Sequence, residues 1–390
     1  MQDKKIKVAF LVDGDINDVN LFSGTTLHTA KALERQPEID LHIIDNIEKS
    51  RNYFTLILGA IYSRLLRKIG KEYKCRWTLG TAKRFVKDIE KRLPKDTDVI
   101  FSMATTMSLA FLKTDIKTIY YSEGPCVNMF NEHPYLLNLC NRSIKDHTIL
   151  EKNAFDNADL LLFPTDWAIN NAIKSYNLDK SKAKVIPFGA NIDTKYSDTE
   201  IQNIIINRSV DKCRLLFIGV SWKYKGADVA VEIAKELHLR NIDVHLDIVG
   251  IKDVPVPLPA YITNHSFISK QTKEGKNKLI KLFKEAHFFV LPTLFDCAPI
   301  VIAEASSFAV PSLSTKVGGV ACVVRDNLNG MTFDLSASVT EYVDYIANLF
   351  NDRAEYERLC YSTFNEYKTR LNWDTSGRKF VETIKELVDK

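Results

Sequence analysis

The sequence predicts an α/β protein built from two Rossmann-like, doubly wound domains that face a cleft. Short apolar runs alternate with helical patterns, which is typical of parallel sheets covered by helices. A polar segment at 191–211 interrupts this alternation, which then restarts. The chain has 390 residues, which is too many for one ordinary core and enough for two domains.

The first half of the chain supplies six candidate strands, each a short run rich in Val, Ile, Leu or Phe. Runs this short and apolar suit parallel strands that are buried on both faces. The predicted strands are 6–12, 41–45, 98–102, 118–122, 159–163 and 184–187. The helical patterns between them include 25–35, 81–93 and 143–157. We therefore predict a first domain over residues 1–195.

The second half repeats the alternation after the polar segment, which we expect to be unstructured. The predicted strands are 213–219, 243–250, 262–268, 288–292, 311–314 and 331–333. The helical patterns are 227–240, 272–286 and 300–308. We therefore predict a second domain over residues 210–370. A final amphipathic helix over 371–390 is expected to pack back on the first domain.

The composition excludes several classes of protein. Hydrophobic residues make up 45% and charged residues 26% of the chain, and the net charge of +4 does not by itself indicate nucleic acid. The seven cysteines include no C-x-x-C pair and the eight histidines no H-E-x-x-H pattern, so neither disulfides nor a metal site is indicated. No apolar run approaches the roughly 20 residues of a membrane span. We expect a cytoplasmic protein that needs no metal and binds no nucleic acid.

One loop late in the second half carries the strongest chemical signal. A strand ends before Asp296, and Pro299 suits the first turn of a helix that carries Glu304. The backbone at Ala298, Pro299 and Ile300 would open this helix, where the first N–H groups can hold a phosphate. Two carboxylates that flank such a helix start suit a nucleotide sugar, which has hydroxyls on both sides of a diphosphate. Alternatively, Asp296 caps the helix and Glu304 is a solvated helix residue.

A basic loop follows the first strand of the second half. It begins at Gly219, a candidate donor contact, and contains Lys223 and Lys225 before a helix. Fixed cations in a cleft stabilise the negative charge that grows on a nucleoside diphosphate as it leaves. Both lysines are therefore candidate catalytic residues. Alternatively, they are two exposed residues at a turn.

The loop after the first strand of the chain ends in Ser23-Gly24-Thr25 and opens a helix. Glycine at a helix start lets a ligand approach the backbone closely, which makes Gly24 a candidate donor contact. The loop lacks the G-x-G-x-x-G pattern, so a dinucleotide cofactor is not indicated. Ser23 and Thr25 are candidate acceptor or cleft residues, together with Glu123 and His133, which follow a later strand.

Taken in order, these segments resemble the family-4 retaining glycosyltransferases with the GT-B fold, in their bacterial form. The late loop resembles the E-x7-E motif of that family, with Asp296 as the first acid and Ala298-Pro299 in place of Phe-Gly. Lys225-Gly226 match the family's Lys-Gly, whereas its Arg has no direct equivalent and Lys223 is the nearest substitute. Further similar segments begin at Tyr120, Phe163, Lys184, Gly318 and Asn329.

The resemblance implies a role for each motif residue. Asp296 would contact the hydroxyls of the transferred sugar and Glu304 those of the ribose, and Lys225 would contact the diphosphate. The donor would bind mainly to the second domain and the acceptor mainly to the first. Many family members also use a histidine in the first domain, and the sequence does not place its counterpart.

The resemblance also implies a reaction. It is the retaining transfer of a hexose-type sugar from a UDP- or GDP-linked donor to a glycan, lipid-linked or protein acceptor, without a divalent metal. Two alternatives remain open because the motif departs from the family pattern. One is a catalytically silent GT-B subunit that binds nucleotides or regulates a partner, and the other is a sugar-nucleotide epimerase on the same fold.

Residues 64–92 are strongly basic, with eleven Lys and Arg against three acidic residues. Interleaved apolar residues make the segment amphipathic, as in helices that lie on anionic lipid. Peripheral contact with the inner face of the membrane through 64–92 would suit a lipid-linked acceptor. The other interpretation is the solvated face of ordinary surface helices.

Overall fold

A computed structural model describes residues 5–19, 21–50 and 52–389 of the chain. The contacts between residues divide the chain into two compact units. The first comprises residues 1–187 and 376–390, and the second comprises residues 188–375. Each unit contains one six-stranded sheet in which every strand pair is parallel. The predicted fold class of two doubly wound α/β domains is thereby confirmed.

The first unit alternates strands and helices from its beginning. Its elements are β1 (Ile6–Leu11), α1 (Thr25–Glu34), β2 (Ile39–Ile44), α2 (Tyr53–Arg67), α3 (Leu79–Arg92), β3 (Val99–Met103), α4 (Thr106–Leu109), β4 (Lys117–Tyr121), α5 (Asn141–Asn157), β5 (Leu160–Phe163), α6 (Asp166–Tyr176) and β6 (Ala183–Val185). The strand order is β2-β1-β3-β4-β5-β6. All five residues of β3 are buried, as expected for a central strand covered on both faces.

The second unit follows the same plan. Its elements are α7 (Asp198–Ile206), β7 (Cys213–Ile218), α8 (Ala227–Leu239), β8 (Val244–Val249), β9 (Ile262–Asn264), α9 (Lys273–Glu285), β10 (Phe288–Leu291), α10 (Ile300–Ser306), β11 (Ser312–Thr315), α11 (Val320–Val323), β12 (Gly330–Phe333), α12 (Val339–Asn351) and α13 (Arg353–Thr369). The strand order is β12-β11-β10-β7-β8-β9. The core lies on both faces of this sheet, where Leu216, Phe217 and Phe289 are fully buried.

The twelve strands lie where the apolar runs predict them, with small differences at their ends. The largest difference is in the run at 262–268, of which only Ile262–Asn264 pairs with β8. Ser266 has a φ of 53°, which is outside the extended region, so the chain leaves the sheet there.

The prediction that residues 191–211 are unstructured is wrong, because they contain α7. Ser197 and Glu200 form a capping box at its start. Ile201 and Ile205 lie one turn apart on its buried face. The polar residues between these two isoleucines are exposed. The segment therefore forms an ordinary amphipathic helix, although its polar composition is also typical of a loop.

The basic segment 64–92 is not one continuous surface. It includes the end of α2, a stretch without regular helix, and α3. The apolar face of α3 is packed in the core of the first unit, where Phe85 and Ile89 are fully buried. The apolar side chains of α3 therefore cannot contact a membrane. The exposed apolar residues lie earlier, on α2.

The last helix, α14 (Trp373–Val388), begins in the second unit and ends in the first. Its Phe380 packs on the first sheet, with ring centroids 5.4 Å from Phe101 and 5.5 Å from Tyr121. None of the helices in the described ranges is long and apolar enough to cross a membrane.

Candidate functional site

The order of strands in the second sheet creates a switch point beside β7. The chain goes from β7 to β8 and β9 on one side, and then returns to build β10, β11 and β12 on the other. Ligands of open α/β sheets bind beyond the carboxyl ends of the strands at such a point. The loops that follow β7 and β10 are therefore the first place to look for a site.

These two loops bring Lys225 and Asp296 together. Lys225 follows β7, Asp296 follows β10, and their Nζ and Oδ2 atoms lie 2.6 Å apart. Their side chains keep 22% and 17% of their exposure, so the pair is shielded but can be reached. The structure thus places a cation and a carboxylate from the two motif loops at the switch point.

Two glycines allow the backbone to pack closely around this ion pair. Gly226 has a φ of 77°, and a Cβ at this position would lie 2.1 Å from the carbonyl oxygen of Pro292. Gly318 has a φ of 53°, and its Cβ would lie 2.2 Å from the carbonyl oxygen of Asp296. The neighbouring N–H of Gly319 donates to that same oxygen over 2.9 Å. Larger residues would push these loops apart.

The start of α10 differs slightly from the prediction. Pro299 precedes the helix as its N-cap residue, and Ile300 is the first helical residue. The loop is closed from within, because the Ala298 N–H donates to Asp296 Oδ1 over 3.2 Å. Asp296 therefore uses one carboxylate oxygen to shape its own loop and the other to hold Lys225.

Glu304 is buried in the second turn of α10. Its side chain is 1% exposed and accepts a hydrogen bond from the ammonium of Lys270. The alternative interpretation of Glu304 as a solvated helix residue is therefore wrong. A buried carboxylate needs a partner of this kind, since desolvation of an unpaired charge is costly.

Lys270 is a site residue that the sequence did not reveal. It lies between β9 and α9, in a segment with no recognisable motif. Only the fold brings this loop to α10. The partial exposure of its side chain, at 31%, leaves it within reach of a ligand that contacts Glu304.

Lys223 does not join the pair at the switch point. Its ammonium lies 2.7 Å from Asp228 Oδ2, and its side chain is 79% exposed. Gly219, in contrast, lies against the side chain of Lys225, and a Cβ on it would be 2.9 Å from Lys225 Cβ. Of the two predicted catalytic lysines, only Lys225 contacts Asp296.

The candidate residues at the start of the first unit surround the first turn of α1. Gly24 is its N-cap residue with a φ of 82°, and Ser23 before it also has a left-handed backbone. Ser23 is exposed, whereas Thr25 is 1% exposed and belongs to the helix. Nearby, at the switch point between β1 and β3, Ser108 Oγ donates to Asp13 Oδ1 over 2.6 Å. The sequence did not single out this last pair.

The other two candidates of the first unit lie after β4. Glu123 is partly buried in the segment that follows this strand. His133 accepts a hydrogen bond at Nδ1 from the N–H of Tyr135 over 3.2 Å, so the ring caps the turn Pro134–Leu136. This contact gives His133 a structural role in its own loop.

A network of buried polar groups lies below this segment. Glu151 accepts hydrogen bonds from the N–H of Cys126 and from the hydroxyl of Tyr176. Burial raises the pKa of Glu151 from its usual 4.5 to about 6. In the part of the chain that the structure describes, no group of three or more His, Cys, Asp or Glu residues is arranged to hold a metal ion.

Comparison with known proteins identifies a family for much of the second unit. Residues 198–365 match the family described as "Glycosyl transferases group 1". This range contains the loops after β7 and β10, and with them Lys225, Lys270, Asp296 and Glu304.

Two curated relatives show the range of activities among similar proteins. A D-inositol 3-phosphate glycosyltransferase of Corynebacterium urealyticum is 21% identical over 294 residues, which cover 72% of this chain and 69% of the relative. A UDP-Gal:alpha-D-GlcNAc-diphosphoundecaprenol alpha-1,3-galactosyltransferase of Escherichia coli is 23% identical over 189 residues, 46% of this chain and 48% of the relative. The chain thus aligns with about half to two thirds of the length of these relatives.

The fold is also found in solved structures. Sucrose-phosphate synthase from Thermosynechococcus elongatus matches with a TM-score of 0.70 and 14% identity, over 99% of this chain and all of that one. At this level of identity the match shows the fold alone.

Proposed function

We propose that this chain, whose residues 198–365 match the family described as "Glycosyl transferases group 1", is a glycosyltransferase that transfers a hexose-type sugar with retention. The proposed donor is a UDP- or GDP-linked sugar, and the proposed acceptor is a glycan, lipid-linked or protein hydroxyl. In the reaction, the bond between the sugar's anomeric carbon and the diphosphate breaks. The acceptor oxygen forms the new bond to that carbon, the nucleoside diphosphate leaves with the electrons of the broken bond, and the acceptor's proton passes to the leaving diphosphate or to water.

The observation that carries the proposal is the contact between Lys225 and Asp296 at the switch point. An ammonium has three donors, so Lys225 can hold Asp296 and a phosphate oxygen at the same time. Asp296 has lone pairs left for sugar hydroxyls after accepting from Lys225 and Ala298. One side of the ion pair would thus face the diphosphate and the other the sugar.

The position of Glu304 supports nucleotide binding. Its carboxylate already holds one ammonium donor, from Lys270, and has further acceptor sites for the two ribose hydroxyls. Hydrogen bonds from hydroxyls to a shielded carboxylate are stronger than those between neutral groups. We propose that Glu304 recognises the ribose and that Lys270 keeps the empty site neutral.

The name of one relative favours a UDP-linked donor over a GDP-linked donor. The E. coli relative is named for a UDP-linked galactose and for an acceptor on a lipid diphosphate. We propose the same classes of donor and acceptor for this chain. Binding of UDP, GDP and their sugar conjugates to the full chain, measured by calorimetry, would decide between the two bases.

Substitutions at the donor site test the proposed roles. Lys225→Ala is expected to lower kcat roughly a hundredfold, or about 3 kcal/mol, because the charge that it stabilises grows only as the bond breaks. Glu304→Gln is expected to weaken nucleotide binding about tenfold or more, since a charged acceptor is lost. Initial rates with nucleotide sugar and calorimetry with the nucleoside diphosphate measure the two effects.

A lysine away from the site provides the matched control. Lys235 lies on α8 and pairs with Glu232, so Lys235→Ala should leave both quantities unchanged. Comparing Lys223→Ala with Lys225→Ala then shows which lysine of the loop supplies the charge. If Glu304→Gln binds nucleotide as tightly as the wild type, the ribose assignment is wrong.

A further inference from the structure

Helix α2 presents an unusual apolar surface on the first unit. Eight large apolar side chains between residues 53 and 69 are exposed, including Tyr53 at 78% and Phe54 at 68%. The full set, which we call the α2 surface, is Tyr53, Phe54, Ile57, Leu58, Ile61, Tyr62, Leu65 and Ile69. The spacing of its members places them along one side of the helix. Such a contiguous apolar patch marks a place where another apolar phase binds.

The opposite side of α2 is the one that packs on the protein, and it includes the half-buried Leu56 and Leu66 together with the small residues Gly59 and Ser63. Ser63 is 4% exposed, and it is the buried residue of this helix. A Cβ on Gly59 would lie 2.5 Å from Cys75 Cβ, so the helix lies very close to the chain beneath it. A helix that serves only its own core turns its apolar stripe inward. Here seven large apolar side chains of the helix are exposed instead.

Two features fix helix α2. An N-cap determines where it starts, and close packing on the chain beneath it determines which side faces inward. The side chain of Asn52 caps the start by accepting from the N–H groups of Phe54 and Thr55. Cys75, which lies against Gly59, follows in the chain that leads to α3. The exposed α2 surface is thus part of the fold of this unit.

The charged residues within 53–71 are all basic, and Arg67 lies 3.8 Å from Glu72, the first acidic residue after them. Between residues 53 and 71 the chain contains Arg64, Arg67, Lys68 and Lys71 and no acidic residue. On a helix, Arg64 and Lys68 lie four residues apart and border the apolar stripe. A partner of this surface should therefore combine an apolar phase with negative charge.

We propose that the α2 surface docks on an anionic lipid membrane. The apolar side chains would enter the boundary between headgroups and acyl chains, and the basic residues would contact lipid phosphates. A second copy of the chain is a poorer partner, because a two-fold contact would bring these like charges together. The helix, with a length of about 22 Å for 15 residues, would lie in the plane of the membrane.

The proposed membrane contact thus lies at residues 53–71, not at the predicted 64–92, and does not include α3. It rests on the exposure and charge of α2 and stands apart from the proposed transfer reaction, so either can fail without the other.

Vesicle binding by the full chain tests the proposal. We expect the protein to sediment with vesicles of phosphatidylcholine and phosphatidylglycerol and to bind pure phosphatidylcholine far more weakly. Replacing Ile57 and Ile61 by Ser should weaken binding to the anionic vesicles at least about tenfold. Replacing Arg64 and Lys68 by Gln should weaken it about tenfold or more, and added salt should weaken the wild type.

Matched controls separate this surface from general changes in polarity or charge. Leu239 and Val210 are as exposed as the isoleucines and lie on the second unit, so their replacement by Ser should not change binding. Replacing the exposed Lys276 and Lys278 of α9 by Gln controls for net charge. Unchanged thermal midpoints would show that all variants are folded.

Three results would overturn the proposal. The first is no binding to anionic vesicles, and the second is equal binding by the α2 variants and the wild type. The third is a dimer in solution that the Ile57 and Ile61 substitutions dissociate, since a second copy would then cover the surface.

Discussion

Buried carboxylates in this protein are held by two different kinds of partner. Glu304, at the proposed donor site, is paired with the ammonium of Lys270. Glu151, in the first unit, accepts from two uncharged donors among the described residues, the N–H of Cys126 and the hydroxyl of Tyr176. Because no cation compensates its desolvation, burial raises the pKa of Glu151 to about 6.

This shift predicts a dependence of stability on pH. The folded state holds the Glu151 proton more tightly than the unfolded state, whose pKa is near 4.5. The contribution to stability is therefore complete below pH 4.5 and is lost as the pH rises through about 6. The shift corresponds to about 2 kcal/mol in the free energy of unfolding.

Urea unfolding of the wild type and of Glu151→Gln, on both sides of this pH window, measures the effect. The variant does not titrate here, so the wild type should lose about 2 kcal/mol relative to it as the pH rises. Tyr176→Phe removes a hydrogen bond that lowers the pKa of Glu151, and should extend the window upward. Parallel curves for the wild type and Glu151→Gln would contradict the prediction.

The residue scale also shows which site residues a sequence can reveal. Asp296 and Lys225 lie in motifs directly after predicted strands, so they could be named before their contact was seen. Lys270 lies in a segment without a motif. Its contact with Glu304 depends on the path of the loop between β9 and α9, which no local pattern encodes.

At the scale of elements, two loops build the site because glycine lets them approach each other. Gly226 ends the loop after β7 in a left-handed conformation and lies under the carbonyl of Pro292, just after β10. Lys225 precedes this glycine directly. The position of the ammonium next to Asp296 therefore depends on the close packing at Gly226.

A substitution at this glycine should affect both stability and turnover. Gly226→Ala would combine an unfavourable backbone angle with a Cβ placed 2.1 Å from the Pro292 oxygen. We expect a loss of about 3 kcal/mol or more in the free energy of unfolding and a lower kcat. Urea unfolding and initial rates measure the two effects.

Gly70 offers a matched control for the backbone angle alone. It has a φ of 70°, and nothing within 4 Å would meet a Cβ there. Gly70→Ala should cost only about 1 kcal/mol. If both substitutions lower the free energy of unfolding by the same amount, close packing against Pro292 is not the cause of the loss at Gly226.

Elements also differ in how far sequence patterns can predict them. The capping box and the two buried isoleucines of α7 lie in a segment whose polar composition suggested that it was unstructured. Helix α2 is apolar in sequence, and no local sequence pattern indicates that the side chains of the α2 surface are exposed. Their exposure depends on the close approach of Gly59 to Cys75.

At the scale of the whole molecule, the chain forms two units with the same architecture. We assign a different proposed role to each unit. The range that matches the glycosyl transferases group 1, residues 198–365, lies within the second unit, 188–375. This unit holds Lys225, Lys270, Asp296 and Glu304. The first unit presents the α2 surface. The proposed donor and the proposed membrane thus belong to separate units.

The positive charge of Lys225 at the proposed donor site predicts how the proposed activity responds to chelators. Because Lys225 is fixed beside the proposed diphosphate, it can stabilise the leaving group without an added cation. We expect turnover of the nucleotide sugar to persist in excess EDTA. Loss of activity that Mg²⁺ restores would show that a metal ion carries part of this role.

The sequence by itself determined the fold class and most of the elements. Apolar runs and helical periods are local properties, and burial on two faces of a parallel sheet leaves a clear pattern in them. The same patterns placed Lys225, Asp296 and Glu304 directly after strands or in the helix that follows. Their chemistry and order were enough to suggest a ligand with a diphosphate and hydroxyls.

Only the tertiary structure decided which of these residues meet. Strand order places the loops of β7 and β10 side by side, although 71 residues separate Lys225 from Asp296. It also turns Lys223 away, buries Glu304 against Lys270 and leaves the α2 surface exposed. These outcomes depend on packing between segments that are distant in the sequence. Such contacts produce no local periodic pattern, so they cannot be predicted from the sequence alone.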